Sequence, residues 1–400
     1  MLYCILVNMS YTFRWYPTAP QSRELARVFG AARHAYNWAL RLRTDAYKAG
    51  TTINYNASSA AWTVHRNDPQ FSWLKRTSCV PQQQMLRHLQ TAYKNFFNKT
   101  AGYPSFKRKR DRQSAEYTSS AFKWDARNRN LSLSGLGRLD VHWSRSFQST
   151  PTTVTITKDC SNRYFVTLCL DEKVNVLPRT GQAVGIDLGV NRLATLSSGD
   201  RIANPKHLAR NSAKIQRLQH DLARKRKGSH RYERQRIRLA RAQAHVADSR
   251  KDYLNKVTTD LVRKYDALCV EDLYVRGMMH NHCLARAIGD VGMSMFRTML
   301  AYKCQWYGKE LKIVDRFFPS SKRCHVCGHV SESLPLSVRE WECVECHTVH
   351  DRDENAAINI LTAGHAATAR GETVSPRRGQ PRRGTSRRSV NQPALTQTRI

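Results

Sequence analysis

Cys324, Cys327, Cys343 and Cys346 are spaced as C-x2-C, fifteen intervening residues, then C-x2-C, and this spacing constrains the fold more than any other stretch. Each pair sits on a tight knuckle that aims two thiolates at one ion, so four sulfurs complete a closed tetrahedron around a single Zn²⁺. A closed shell leaves no position for substrate, and the expected zinc is therefore structural. His325, His329, His347 and His350 lie close by but are not needed as ligands. The segment ends in Asp351 and Asp353 at the head of the apolar run NAAINIL, so the clip fixes how that run enters the fold.

Charge limits the partners. Against 31 acidic residues the 400-residue chain carries 66 Lys and Arg, a formal net charge of +35. A field of that sign attracts polyanions, either nucleic acid or a membrane surface. The apolar run Leu2 to Val7 is short, lacks a basic n-region and a cleavage site, and no stretch approaches the ~18 apolar residues of a membrane span. The expectation is an intracellular, cytoplasmic protein with no membrane partner, associated with nucleic acid. Eleven cysteines, four of them assigned to metal and the rest scattered, fit a reducing compartment.

The length allows two or three domains. Ser10 to Tyr16 alternates like a strand, and residues 21–48 carry an apolar helical stripe opposite a basic face that includes Arg33. That face is solvated or turned to phosphate. Gln82 to Asn98 reads as a second helix, followed by GYPSFKRKRDR, where Lys107, Arg108, Lys109 and Arg110 stand beside Tyr103 and Phe106. Cations interleaved with aromatics suit a nucleic acid backbone and its bases. Short β-like runs from Ser119 to Leu170 predict a small barrel or sandwich into which the helices are inserted, and Asp171 to Gly181 reads as a linker. Pro205 to Lys264 reads as a helical hairpin whose apolar seam is too thin to be a protein core. Arg224, Lys225, Arg226, Lys227 and Arg231 around its turn would line a nucleic acid channel. The stretch after Glu271 reads as a loop that could act as a lid, then a helix turning Met295, Phe296, Met299 and Leu300 inward, then a strand from Leu311 to Val314.

Two apolar runs end in acids: AVGIDLGV carries Asp187, and ALCVEDL ends in Glu271 and Asp272. An ionised carboxylate at the end of a buried strand is costly unless it is paired or binds a cation. With a third acid from the head of the last helix, Asp351 or Asp353, such a set holds two Mg²⁺ (or Mn²⁺) ions for phosphodiester hydrolysis. Asp351 could instead cap that helix.

VGIDLGV, CVEDL, SSKRCHVCG, CVECHTVHDRDENAAINI and the early FRWYPT and ARHAYNWAL resemble, in order and spacing, the TnpB (OrfB) family, transposon-encoded proteins related to the type V CRISPR effector nucleases. The resemblance runs from residue 10 to about 365. It implies an α/β nuclease domain of RNase H-like (RuvC) fold over 182–316 and 350–365, interrupted by a zinc-ribbon insertion at 317–349. It also implies a β-barrel wedge domain at 1–20 and 99–175 with a helical recognition insert at 21–98. The implied activity is RNA-guided cleavage of double-stranded target DNA beside a short flanking motif, with a guide RNA from the transposon end. By motif, Asp187, Glu271 and Asp353 are the implied catalytic acids, and Lys75 and Gln83 lie in a segment resembling the motif-reading region. An idle RNA-guided DNA binder and a strand-transferring transposase are the alternatives. The arginine-rich tail, 366–400, is expected to be disordered and RNA-seeking.

Overall fold

The computed structural model describes residues 4–335 and 337–369. They divide into two compact units, Met1–Gln182 with Ala203–Asp266 and Tyr274–Glu310, and Ala183–Ile202 with Ala267–Leu273 and Leu311–Ile400. Among the described residues no helix is long and apolar enough to cross a membrane.

The first unit opens with β1 (Cys4–Trp15), which takes in the apolar N-terminal run and so begins well before Ser10. Three helices follow: α1 (Ala19–Lys48), α2 (Tyr55–Asn67) and α3 (Cys79–Phe97). Thr18 and Gln21 close a capping box at the head of α1, satisfying two of its otherwise orphaned N–H groups. Ala31, Ala35, Ala39, Trp62, Leu74, Met85 and Leu89 form the core between these helices. Helix α2 was not legible in the sequence because Trp62 and Ser58 are its only buried side chains.

The β-rich part contains β2 (Gln113–Thr118), β3 (Phe122–Asp125), β4 (Asn130–Leu133), β5 (Gly137–Leu139), β6 (Val141–His142), β7 (Thr153–Lys158) and β8 (Tyr164–Asn175). Hydrogen bonds join them into a five-stranded sheet of order β2-β7-β8-β1-β6 and a three-stranded sheet of order β3-β4-β5. Phe13, Trp15, Tyr117, Leu131, Val154 and Val166 fill a core shared with Leu25, Val28 and Phe29 of α1. Pairing of β1 with β8 along its whole length, from Cys4 with Asn175 to Trp15 with Tyr164, carries the sheet into what the sequence presents as a linker.

In chain order β9 (Ala183–Leu188), β10 (Arg192–Leu196) and β11 (Arg201–Ala203) precede α4 (His207–Ala223) and α5 (His230–Lys264). After β12 (Ala267–Glu271) come α6 (Val275–Met278), α7 (His282–Val291), α8 (Met293–Tyr307) and β13 (Glu310–Val314). Three expectations change here. The hairpin seam is a core in its second half, where α5 buries Val246, Leu254, Leu261 and Val262 and packs on α8. The stretch after Glu271 is helical rather than a loop, because the Asn281 side chain accepts from Cys283 N and starts α7. Met295 is 38% exposed while Met293 is 2% exposed, since the inward stripe of α8 runs 293, 296, 300 and 304 and residue 295 falls off it.

The hairpin is also anchored at its base. Lys206, ahead of α4, has φ of 50° and makes no side-chain cap. The buried Asp290 carboxylate of α7 replaces it, accepting from Leu208 N at 2.9 Å and Ala209 N at 3.1 Å and pairing with Arg250 at 3.2 Å.

The second unit is built on a sheet of order β11-β10-β9-β12-β13. Its other elements are the β14 (Glu340–Glu342) and β15 (Val349–Asp351) hairpin and α9 (Arg352–Ala369). Helix α9 continues past 365, into the segment expected to be tail; the remainder of that tail lies outside the described residues.

Candidate active site and metal centre

The site is assembled on one face of the sheet in the second unit. Strand β12 runs parallel to β9, with Cys269 opposite Gly185 and Val270 opposite Ile186. Continuing that register by one residue sets Glu271 beside Asp187, on strands about 4.8 Å apart. Side chains alternate along a strand, so Asp187 shares its face with Gly185, and Glu271 shares its face with Cys269. Helix α9 covers that face closely. A Cβ on Gly185 would lie 2.0 Å from Ala357 O, and one on Gly364 would lie 2.3 Å from Cys269 Sγ. From Gly185 forward to Asp187 is about 6.6 Å of strand, and one turn back from Ala357 along α9 is about 5.4 to 6 Å. That step brings the first turn of α9, with Asp353, to the two strand acids.

The electrostatics agree with this placement. Burial first, then the charges of Glu271 and Asp353, push the Asp187 carboxyl up to about 7, against the opposing pull of Arg352 and Arg339. Burial also raises Glu271, opposed by a hydrogen bond from the Ser320 hydroxyl. The charges of Glu271 and Asp353 both act on Asp187, and carboxylate oxygens are the donors that a hard divalent cation prefers. Asp353 is additionally paired with Arg339 at 3.3 Å.

Asp351 has a different role. One of its carboxylate oxygens accepts from Asp353 N and Glu354 N, each at 3.0 Å, which makes it the N-cap of α9. Its other oxygen pairs with Arg201 at 2.9 Å. Asp272 is likewise paired, with Arg316 at 2.5 Å.

The four cysteine sulfurs lie within 4.8 Å of one another. Cys324 and Cys346 are 3.6 Å apart and Cys327 and Cys343 3.5 Å apart, close to the ~3.8 Å edge of a tetrahedron with zinc–sulfur bonds of about 2.3 Å. Both knuckles turn in the same way. Cys324 O accepts from Gly328 N and Cys343 O from His347 N, and the residue four past each leading cysteine has positive φ, 81° at Gly328 and 56° at His347. The site is therefore suited to structural zinc. Two of the nearby histidines point to other partners, and His350 lies against a cluster sulfur. His325 hydrogen-bonds Asn355, His347 meets Glu342, and the His350 ring lies 3.1 Å from the Cys324 sulfur.

The proposed nucleic acid contacts fare unevenly. Arg33 donates to Gln113 at 2.8 Å, so its guanidinium is a tie between α1 and β2. The Lys107 ammonium lies 4.6 Å over the Tyr36 ring, and Asn37 grips the Lys107 backbone N–H and C=O. The side chain is nonetheless exposed, so the ring contact leaves it open to solvent. Arg108, Lys109 and Arg110 are exposed, as are Lys75, Arg224, Arg226, Lys227 and Arg231, while Lys225 is half-buried. Gln83 is half-buried and accepts from Ser59 at 3.2 Å. Phe106, Tyr103 and Phe97 stand exposed near the loop cations.

Sequence reasoning missed the residues that hold the acids in place. Gly185 sits inside a quoted motif, but only a helix pressed on the strand explains it. Ser320, Asn355 and Asn359 are polar residues at buried positions, and the four-residue spacing of the two asparagines on one helix face was the available signal.

Residues 167–282 match the OrfB_IS605 family model, described as a probable transposase, and residues 294–360 match the Cas12f1-like TNB domain. Residues 4–52 match a helix-turn-helix model of the OrfB group; in this structure that range holds β1 and the single long helix α1. A Streptomyces pristinaespiralis protein with the provisional name RNA-guided DNA endonuclease is 48% identical over 93% of this chain and 93% of its own. Escherichia coli (strain K12) InsQ, provisionally named in the same way, is 32% identical over 92% of this chain and 95% of its own. Among solved structures, a Cas12f1–sgRNA–target DNA complex aligns with a TM-score of 0.56 at 12% identity, covering 89% of this chain and 99% of that one.

Proposed function

The chain belongs to the TnpB (OrfB) family and is an RNA-guided DNA endonuclease of the insertion-sequence type, and from that premise we propose that Asp187, Glu271 and Asp353 carry its phosphodiester cleavage. The observation that carries the assignment is the parallel register of β9 and β12, which sets two acids side by side beneath the helix whose first turn carries the third. The second unit is read as an RNase H-like, RuvC-type nuclease domain with a zinc-ribbon insertion, and the two β-sheets with their helical insert as the wedge and recognition domains.

Mg²⁺ or Mn²⁺ held by the three acids would supply an activated water and stabilise the departing oxygen of the phosphodiester. The protein's own contribution is to hold three carboxylates on two strands and a helix terminus with little freedom to move. Base pairing between a guide RNA from the transposon end and one strand of duplex DNA would provide most of the sequence specificity. The first unit would bind backbone charge and read the short flanking motif, with Lys75, Gln83 and the loop cations Arg108, Lys109 and Arg110 as contacts. A cytoplasmic, nucleoid-associated location follows from these partners.

The test is to purify the protein, sequence the RNA that accompanies it, and challenge the complex with a target library randomised beside the matched site. The expected result is one discrete RNA species and Mg²⁺-dependent cutting at a defined flank. Discrete RNA without cutting would favour an idle binder, and joining of DNA ends without guided cutting would favour a transposase.

A further inference from the structure

We propose that Ser320 is a positioning residue for the nuclease site, holding the Glu271 carboxylate with its side chain while its main chain is fastened to α9, the helix whose first turn carries Asp353. The proposal rests on the reading of Asp187, Glu271 and Asp353 as the metal-holding acids.

Glu271 is the last residue of β12, where a long side chain leaves the sheet with several freely turning bonds. The Ser320 hydroxyl donates to Glu271 Oε1. A hydrogen bond to a charged acceptor is among the stronger ones a protein makes. It selects one rotamer of the glutamate and leaves Oε2 for a cation.

Ser320 is itself only 7% exposed, and its position is determined from the other side. Its carbonyl oxygen accepts from Asn359 Nδ2 at 2.9 Å and Asn355 Nδ2 at 3.4 Å. The same two amides reach Arg323 O at 2.6 and 2.8 Å. Asn355 Oδ1 meanwhile accepts from His325 N at 3.0 Å, inside the first cysteine knuckle. Asn355 and Asn359 are 1% and 3% exposed and stand one turn apart on α9. The main chain leading into the zinc knuckle is thereby bolted to α9, and the Ser320 hydroxyl at its start reaches across to the strand acid. Two acids on different segments take their relative position from this residue, and an alanine there would keep the bolts while releasing Glu271.

The test uses the full chain with its co-purified RNA. Ser320→Ala should raise the Mg²⁺ concentration for half-maximal cleavage about tenfold, the lower end of what loss of a partner to a metal ligand costs. Mn²⁺ binding to the complex, followed by electron paramagnetic resonance, should weaken by a similar factor. Zinc content and RNA binding should stay at wild-type levels, and Ser320→Thr, which keeps the hydroxyl, should recover most of the Mn²⁺ affinity. In a Glu271→Gln background, Ser320→Ala should weaken Mn²⁺ binding no further. Wild-type Mn²⁺ affinity and Mg²⁺ dependence in Ser320→Ala would overturn the proposal. So would an additional loss in the Glu271→Gln background, or loss of zinc in Ser320→Ala and Ser320→Thr alike, which would mark a purely structural role. Unimpaired cutting by Glu271→Gln alone would instead sink the assignment of the site.

Discussion

Around Asp187 the second unit gathers like charges that burial penalises, whereas the loop over residues 101–112 in the first unit spreads its cations over solvent. In the first region each carboxylate has a distinct task. Asp187 and Glu271 share a sheet face, Asp353 joins them from α9, and Asp351 caps the helix. In the second region the chemistry is diffuse. Lys107, Arg108, Lys109 and Arg110 are all exposed, whereas Arg33, on the neighbouring helix α1, is held by Gln113. A catalytic site needs particular groups at fixed separations, while attraction to phosphate needs only enough positive charge, so single substitutions should act very differently in the two places.

The largest effect is expected at the zinc clip. Structural zinc contributes roughly 10 to 16 kcal/mol to the folding of small metal-dependent domains. Cys324→Ser should therefore lower zinc content, folded yield and cleavage together, as read by metal analysis and chemical denaturation. A well-folded, zinc-replete and active variant would remove the distinction drawn here between a clipped site and a diffuse surface.

Next comes the helix–sheet contact. A side chain at Gly185 must displace the α9 backbone, whose Ala357 O lies 2.0 Å from the added Cβ position, and overpacking of this kind costs about 1 to 3 kcal/mol or more. Gly185→Val should lower the melting temperature and impair cleavage far more than RNA affinity. Equal losses in both would mean that the second unit does not localise the chemistry.

The smallest effects belong to the basic surface of the first unit, where a paired comparison of a loop cation with one on α1 sharpens the contrast. Each lost phosphate contact should reduce the slope of log affinity against log salt by about 0.7 for single strands or 0.9 for duplex DNA. Arg110→Gln should show that change in a salt titration of nucleic acid binding. Arg33→Gln should leave the slope unchanged and cost about 0.5 to 1.5 kcal/mol of stability through its lost hydrogen bond. Matching slopes for the two variants would erase the difference between exposed and tied cations.

The same contrast explains what was legible in the sequence. Cysteine spacing identified the metal cluster, and strand-end acids identified two carboxylates, because such groups are costly to bury without a purpose. The choice of Asp353 over Asp351 came from family resemblance, and the cap explains why spacing alone left both open. The capping bonds of Asp351 are local, and the position of Asp353 depends on how α9 lies across β9. Charge pattern could not tell Arg33 from Arg110, since Gln113, eighty residues after Arg33 in the chain, makes the difference. The buried half of α5 was missed for a related reason: its partner stripe on α8 begins at Met293, far along the chain, and Lys303 extends its ammonium to Asn255 O and the Thr258 hydroxyl there.

The most direct measurement sets Asp353→Ala beside Asp351→Ala in guided cleavage of duplex DNA, with RNA binding and thermal stability recorded for each. Asp353→Ala should abolish cleavage with RNA binding retained. Asp351→Ala should lose about 1 kcal/mol of stability with its cap and still cut within roughly tenfold of wild type. Cutting at an undiminished rate by Asp353→Ala, with Asp351→Ala folded but inactive, would contradict the account.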